Sequence, residues 1–189
     1  QMQSPALRLP PAIPAPASAA DFVFPWRAKG DVMTPELDCL NYAAAHPDVE
    51  VCGLIIDDQR LFPCRNIHPD PANHFRIDEL DWILAEEQGL ITAIFHSHVG
   101  DLPVLSAADR AAQVVTELPW WLAQGGQLRK FRNVPHLLGR KFDHGVMDCF
   151  TLFRDAYHLG GVEIPMFERT NGWWLRHENL YIKNLARVG

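Results

Sequence analysis

No run of 18 or more apolar residues occurs in the 189-residue chain, and a helix needs roughly 20 of them to cross a bilayer. A transmembrane helix is therefore excluded. Positive charge is not in excess either: 17 basic residues stand against 23 acidic ones, a net charge of -6. That balance lacks the electrostatic footprint of a general nucleic-acid binder, so neither DNA nor RNA is an expected partner. Cysteine is sparse. Cys39, Cys52, Cys64 and Cys149 form no CxxC pair and no dense array, which argues against a zinc knuckle or a disulfide framework and for reduced thiols in a cytosolic setting. A secretory leader is also not indicated. Ala17-Ser18-Ala19 mimics a cleavage site, but five prolines interrupt the first 20 residues, where an apolar helix would have to form.

What is present is a 48% hydrophobic composition, enough to build a sizeable core in one domain or two small ones. Residues 1–33 form a Pro/Ala-rich extension, with Pro10, Pro11, Pro14 and Pro16 among alanines. Such a stretch favours polyproline conformations and reads as a tether or docking arm. Gln1 ahead of Met2 raises the expectation of a fragment of a longer chain. Beyond the extension, Thr34-Pro35 is a helix start, a capping side chain followed by proline at the first helical position, leading to Ala45. Residues 50–56 read as an apolar strand with 60–64 as its hairpin partner. Loop composition over 66–75 is followed by a helix over 78–88, spaced around Leu80, Ile83 and Leu84. A buried strand over 90–95 runs into His96-Ser97-His98. A helix over 107–118 and a tryptophan-bearing strand through Trp120-Trp121-Leu122 follow, with 130–132 as a candidate partner, and a new segment begins near Pro135. The fold class is thus α+β, a mixed sheet flanked by helices, with domains expected over 34–134 and 135–189.

Side chains alternate along a strand, so His96 and His98 project to one face and can share an ion, while Ser97 points the other way. A carboxylate must come from elsewhere. Asp109 lies in the first turn of the next helix, after a loop that can fold back. Two histidines and an aspartate leave a fourth position for water, the pattern of catalytic rather than structural zinc (Zn2+). Glu50 is the best-placed general base, able to pass a proton to a leaving amine. Ser106 can donate a hydrogen bond to an oxyanion or orient the water. Taken alone, Ser106-Ala107-Ala108-Asp109 also reads as a capping box. The other histidines, His46, His68, His74, His136, His144, His158 and His177, lack matching partners and read as structural or surface residues.

The ordered set Glu50, His96-x-His98, seven residues, Ser106, two residues, Asp109 resembles the motif of the MPN/JAMM metalloproteases. The resemblance implies zinc held by His96, His98 and Asp109 and amide-bond hydrolysis. Val99 departs from the proline that family members commonly carry after the second histidine.

A second candidate lies near the C-terminal end of the sequence. Asp148 suits the cap of a helix whose first turn holds Cys149, where the helix dipole favours a nucleophilic thiolate; a buried, inert cysteine is the bland alternative. The Asp-Cys opening followed by Gly160-Gly161 and Ile164-Pro165 resembles the first part of NlpC-type cysteine peptidases, which cleave peptides of peptidoglycan. The family's histidine base comes from a strand well beyond the cysteine, and His158 is unsuited, nine residues and roughly 13 Å along one helix. The expectation is a partial domain. Trp120-Trp121 and Trp173-Trp174 read as core or interface rather than a glycan groove.

An MPN/JAMM domain followed by an NlpC-type domain resembles the tail tip assembly proteins of lambda-like siphophages. That resemblance implies a zinc peptidase in tail assembly, with other tail tip proteins and a peptide or peptidoglycan substrate as partners. It places the protein in the host cytoplasm and at the virion tail tip. Two alternatives are a tail-tip scaffold with vestigial sites and a cellular isopeptidase acting on ubiquitin-like or sulfur-carrier proteins; the Cys149 segment argues against the latter.

Overall fold

The computed structural model describes residues 34–188; the Pro/Ala-rich stretch before Thr34 lies outside them. Helix α1 (Pro35–Ala44) begins where Thr34 accepts a hydrogen bond from the Leu37 amide, with proline at the first helical position. Strands β1 (Cys52–Ile56) and β2 (Arg60–Cys64) form a hairpin, and helix α2 (Glu79–Glu86) is capped by Asp78. Strand β3 (Ile91–Ser97), helix α3 (Ala107–Thr116) and strand β4 (Trp120–Gln124) follow as one crossover unit, and β5 (Gln127–Phe131) closes the sheet. Gly125 and Gly126, with φ of 58° and 74°, make the two-residue β4–β5 turn; positive φ at both positions matches the twist of the flanking strands.

The sheet order is β2-β1-β3-β4-β5. Only β3 and β4 are parallel, which is why α3 must lie between them in sequence. Because the pleat alternates, Trp120 and Trp121 enter opposite faces of the sheet. One face packs Ile55, Phe95 and Trp121 against Cys39 and Tyr42 of α1. The other packs Leu54, Ile94 and Trp120 against Ala85 of α2 and the loop residue Phe75. Both tryptophans are therefore core residues.

Two local readings of the sequence change. Glu50 precedes the strand, which begins at Cys52; Pro71 and Asn66, not a neighbouring strand, take up its backbone groups. In α2 the apolar spacing of Leu80, Ile83 and Leu84 faces solvent, and Asp81 and Ala85 are buried instead. The reason is the buried Asp81 carboxylate, which accepts hydrogen bonds from the Arg65 amide at 2.7 Å and from its guanidinium at 3.1 Å, fixing which side of the helix turns inward.

Beyond Pro135, helix α4 (Cys149–Leu159) is followed by a 3-10 turn (Trp173–Arg176) and two short helices (Leu180–Lys183 and Leu185–Val188). Its apolar cluster is small: Phe150, Ile164 and Phe167. This segment joins the sheet through polar contacts. The Arg132 amide donates to His158 Nε2 at 2.8 Å, and Asp155 receives Arg132 and Arg140 at 2.5 and 2.7 Å.

Candidate metal centre

His96 ends the buried stretch of β3, on the face shared with Ile94 and Trp120, and its ring is stacked on Phe75 at 4.6 Å. His98 follows the last strand residue. Ser97 points to the opposite face, where its hydroxyl accepts from the Val51 amide at 3.0 Å. Asp109 is the third residue of α3 and part of a capping box: Ser106 Oγ accepts from the Asp109 amide, and Asp109 Oδ2 accepts from the Ser106 amide at 2.8 Å. Cap and candidate ligand are thus the same residue pair rather than competing readings.

The three side chains converge. His96 Nε2 and His98 Nε2 lie 3.1 Å apart, and Asp109 Oδ2 is 3.5 Å from the first and 3.2 Å from the second. Ligand atoms about 2.0–2.1 Å from a tetrahedral zinc are separated by about 3.3–3.4 Å, so this triangle has the size that the ion demands. The chemistry of the donors agrees. His98 Nδ1 donates to the Leu102 carbonyl at 2.8 Å, which leaves a lone pair on Nε2 when the ring is neutral. That lone pair then faces a carboxylate oxygen and a second imidazole nitrogen, an arrangement that requires a cation or shared protons between them. His96, His98 and Asp109 form a group able to hold a metal ion.

Electrostatics follow from the same contacts. Burial holds the His96 imidazole below its ordinary pKa despite the attraction of Asp109. For His98, burial works in that direction too, but the hydrogen bonds to Asp109 and Leu102 and the charges of Asp109 and Glu50 outweigh it and raise the value. Burial opposes ionisation of Asp109 but is overcome by the two histidines and Ser106, which hold its carboxyl well below the usual range. Glu50 is pushed up to about 7, first by burial and then by Asp109 and Asp70, with His98 pulling the other way. It shares a cavity of about 220 Å³ with His98, Ser106 and Asp109, walled by Asn73, His74 and Leu102.

Two proteins were found to be similar. The tail tip assembly protein K of Escherichia phage lambda is 59% identical over 109 residues, 58% of this chain. That of Escherichia phage N15 is 34% identical over 153 residues, 77% of this chain. The chain is a homologue of tail tip assembly protein K. It spans 55% of the length of the lambda protein and 62% of that of the N15 protein. No family model matches the chain. Among solved structures, a Desulfitobacterium hafniense protein determined in solution is similar over 51% of this chain and 76% of its own, with a TM-score of 0.41 and 23% identity.

Cys149 stands apart from this centre, exposed at the first position of α4 behind the Asp148 cap. Among the described residues no histidine forms a hydrogen bond with it. His158 is committed elsewhere, accepting from the Arg132 amide and facing Glu163 at 2.5 Å. Of the residues singled out in the sequence, the structure places Glu50, His98, Ser106 and Asp109 around one cavity, with His96 Nε2 beside His98. Phe75, His74, Asn66 and the Leu102 carbonyl, which shape the surroundings, were not assigned to the centre from sequence. Of these only the run of polar residues with Pro69 and Pro71 was visible beforehand, as a loop. No described helix is long and apolar enough to cross a membrane.

Proposed function

We propose that residues 34–134 form a zinc-dependent peptidase of the MPN/JAMM kind that acts in phage tail tip assembly, on or beside other tail tip proteins. The observation that carries this reading is the triangle of His96 Nε2, His98 Nε2 and Asp109 Oδ2, with Glu50 in the adjoining cavity. Zinc bound there supplies Lewis acidity that polarises a carbonyl and makes a water acidic enough to attack near neutral pH. The rest falls to the chain. Glu50, whose raised pKa of about 7 suits proton exchange near neutrality, takes the proton of the attacking water and returns it to the leaving nitrogen. Ser106 spends a lone pair on its cap, so its hydroxyl hydrogen remains free to donate to the developing oxyanion. His98 is kept in its ligating tautomer by Leu102. Support for tail assembly comes from the homology to two phage tail tip assembly proteins.

The segment from 135 onward is read as part of an NlpC-type domain with Cys149 as its nucleophile, a role that requires a histidine base, and none of the described histidines is hydrogen-bonded to Cys149. That requirement favours a second reading for this segment alone, a scaffold without chemistry of its own.

The test is zinc per chain in protein purified without added metal, for wild type, His96→Ala and Glu50→Gln. About one zinc is expected in wild type and Glu50→Gln, and none in His96→Ala. Hydrolysis of tail proteins should fall by about 10²–10⁴-fold in Glu50→Gln. No zinc in the wild type, even after equimolar addition, leaves the scaffold as the better account of the whole chain.

A further inference from the structure

The loop between β2 and α2 is organised by one side chain. Asn66 Nδ2 donates to the Glu50 carbonyl at 2.8 Å and to the His74 carbonyl at 2.9 Å, and its Oδ1 accepts from the His68 and Arg76 amides, each at 3.0 Å. The carboxamide has two donors and two lone pairs, and all four are used. The Glu50 amide in turn donates to the Pro71 carbonyl of the same loop at 2.7 Å. Both backbone polar groups of Glu50 are therefore consumed by this loop. The sheet does not hold them, because β1 starts two residues later. The same loop lays Phe75 on the His96 ring and contributes Asn73 and His74 to the cavity that holds Glu50.

We propose that Asn66 is the positioning residue of the centre: by binding the Glu50 carbonyl and the loop at once, its carboxamide sets where the Glu50 carboxyl sits relative to His96, His98 and Asp109. An asparagine that merely shaped the loop would spend its hydrogen bonds within residues 66–77. This one spends an N–H on Glu50, 16 positions away. A buried backbone carbonyl that loses its donor moves or goes unsatisfied, and a displacement of about 1 Å in a reacting group costs on the order of 10²-fold in rate. The inference rests on Glu50 as the proton acceptor of the metal centre.

The test loads the full chain with cobalt(II) alone, as a visible stand-in for zinc, and follows its absorption bands against pH. Glu50→Gln and Asn66→Ala should each keep one cobalt per chain, and both should displace the pH midpoint of the bands in the same direction. The displacement expected is about half a pH unit or more, roughly threefold in proton affinity. His68→Ala removes a different fastening of the loop, the one that accepts from the Asp70 amide, and should leave the midpoint where it is. If Asn66→Ala does not fold, Asn66→Ser, whose hydroxyl can still bond the loop amides, is measured instead. A wild-type midpoint in the Asn66 variant, or an equal displacement in His68→Ala, overturns the assignment and reduces Asn66 to a loop staple. Failure of the underlying reading looks different: wild type that binds no cobalt, or a Glu50→Gln midpoint equal to wild type, removes Glu50 from the centre and this inference with it.

Discussion

In the sheet, Leu54, Phe95 and Leu122 are wholly enclosed, whereas beyond Pro135 Phe142 is 71% exposed, Leu175 75%, and Leu152, Phe153 and Tyr157 each 40% or more. The two regions have similar kinds of residues and different means of support. Strands β1 and β3 are covered on both faces, so each apolar side chain finds a partner layer. Among the described residues helix α4 has only the small cluster of Phe150, Ile164 and Phe167, and charged contacts add to it. Asp148 caps the helix and is gripped by Arg169 through contacts of 2.9 and 3.0 Å, with the guanidinium lying 4.5 Å over the Phe150 ring. The comparison teaches that a helix signal in sequence, strong in both regions, says nothing of how the helix is held.

The hardest test of the difference is Phe95→Ala. It opens a cavity between layers and should cost about 3–5 kcal/mol, lowering the unfolding midpoint of the whole sheet in a denaturant titration. Arg169→Ala should cost about 3 kcal/mol, the lower end for breaking a buried ion pair, because Asp148 keeps its bonds from the Gly145 and Thr151 amides. That loss should be confined: amide exchange over 148–169 rises, while exchange over β1 and β3 stays slow. An equal rise in both regions would erase the distinction.

Acid should separate them as well. Burial raises the Asp148 pKa, but the Thr151 and Gly145 amides and Arg169 overcome it and hold the value at about 2. The unfolded carboxyl titrates near 3.9. With the folded value the lower of the two, the stabilisation is complete above about pH 4 and is lost as pH falls through about 2; amide exchange over α4, measured down that range, should rise before exchange in β3. Smallest is Lys130→Ala. The contact with Glu36 at 2.5 Å is solvent-exposed, and its loss should cost under about 1 kcal/mol, a shift at the limit of thermal unfolding.

Much of this was legible in the residues themselves. Thr34-Pro35 and Asp148 announce helix starts because capping and φ preference are local properties. His96-Ser97-His98 announces a shared face because strand alternation is equally local. The expected mixed α+β architecture with flanking helices is the one observed. What escaped depends on partners remote in sequence. Which side of α2 turns inward is decided by Arg65 meeting Asp81, against the apolar spacing of Leu80, Ile83 and Leu84. Asn66 carries no periodicity, and the carbonyls of Leu102 and Pro71 carry no residue identity at all, so no reading of side chains could have assigned them. Ser106 had two readings in sequence, cap and donor, because one hydroxyl can accept and donate at once.

The spacing of the candidate metal ligands along the chain also bears on the order in which they meet. His98 and Asp109 are 11 positions apart, whereas Val51, beside Glu50, reaches Ser97 across 46. Closing the longer span costs about 1.3 kcal/mol more in chain entropy, and it waits on non-local strand pairing, the slow class of folding event. In a complete chain refolding from the unfolded state, His98 and Asp109 are therefore expected to meet before Glu50 is brought beside them.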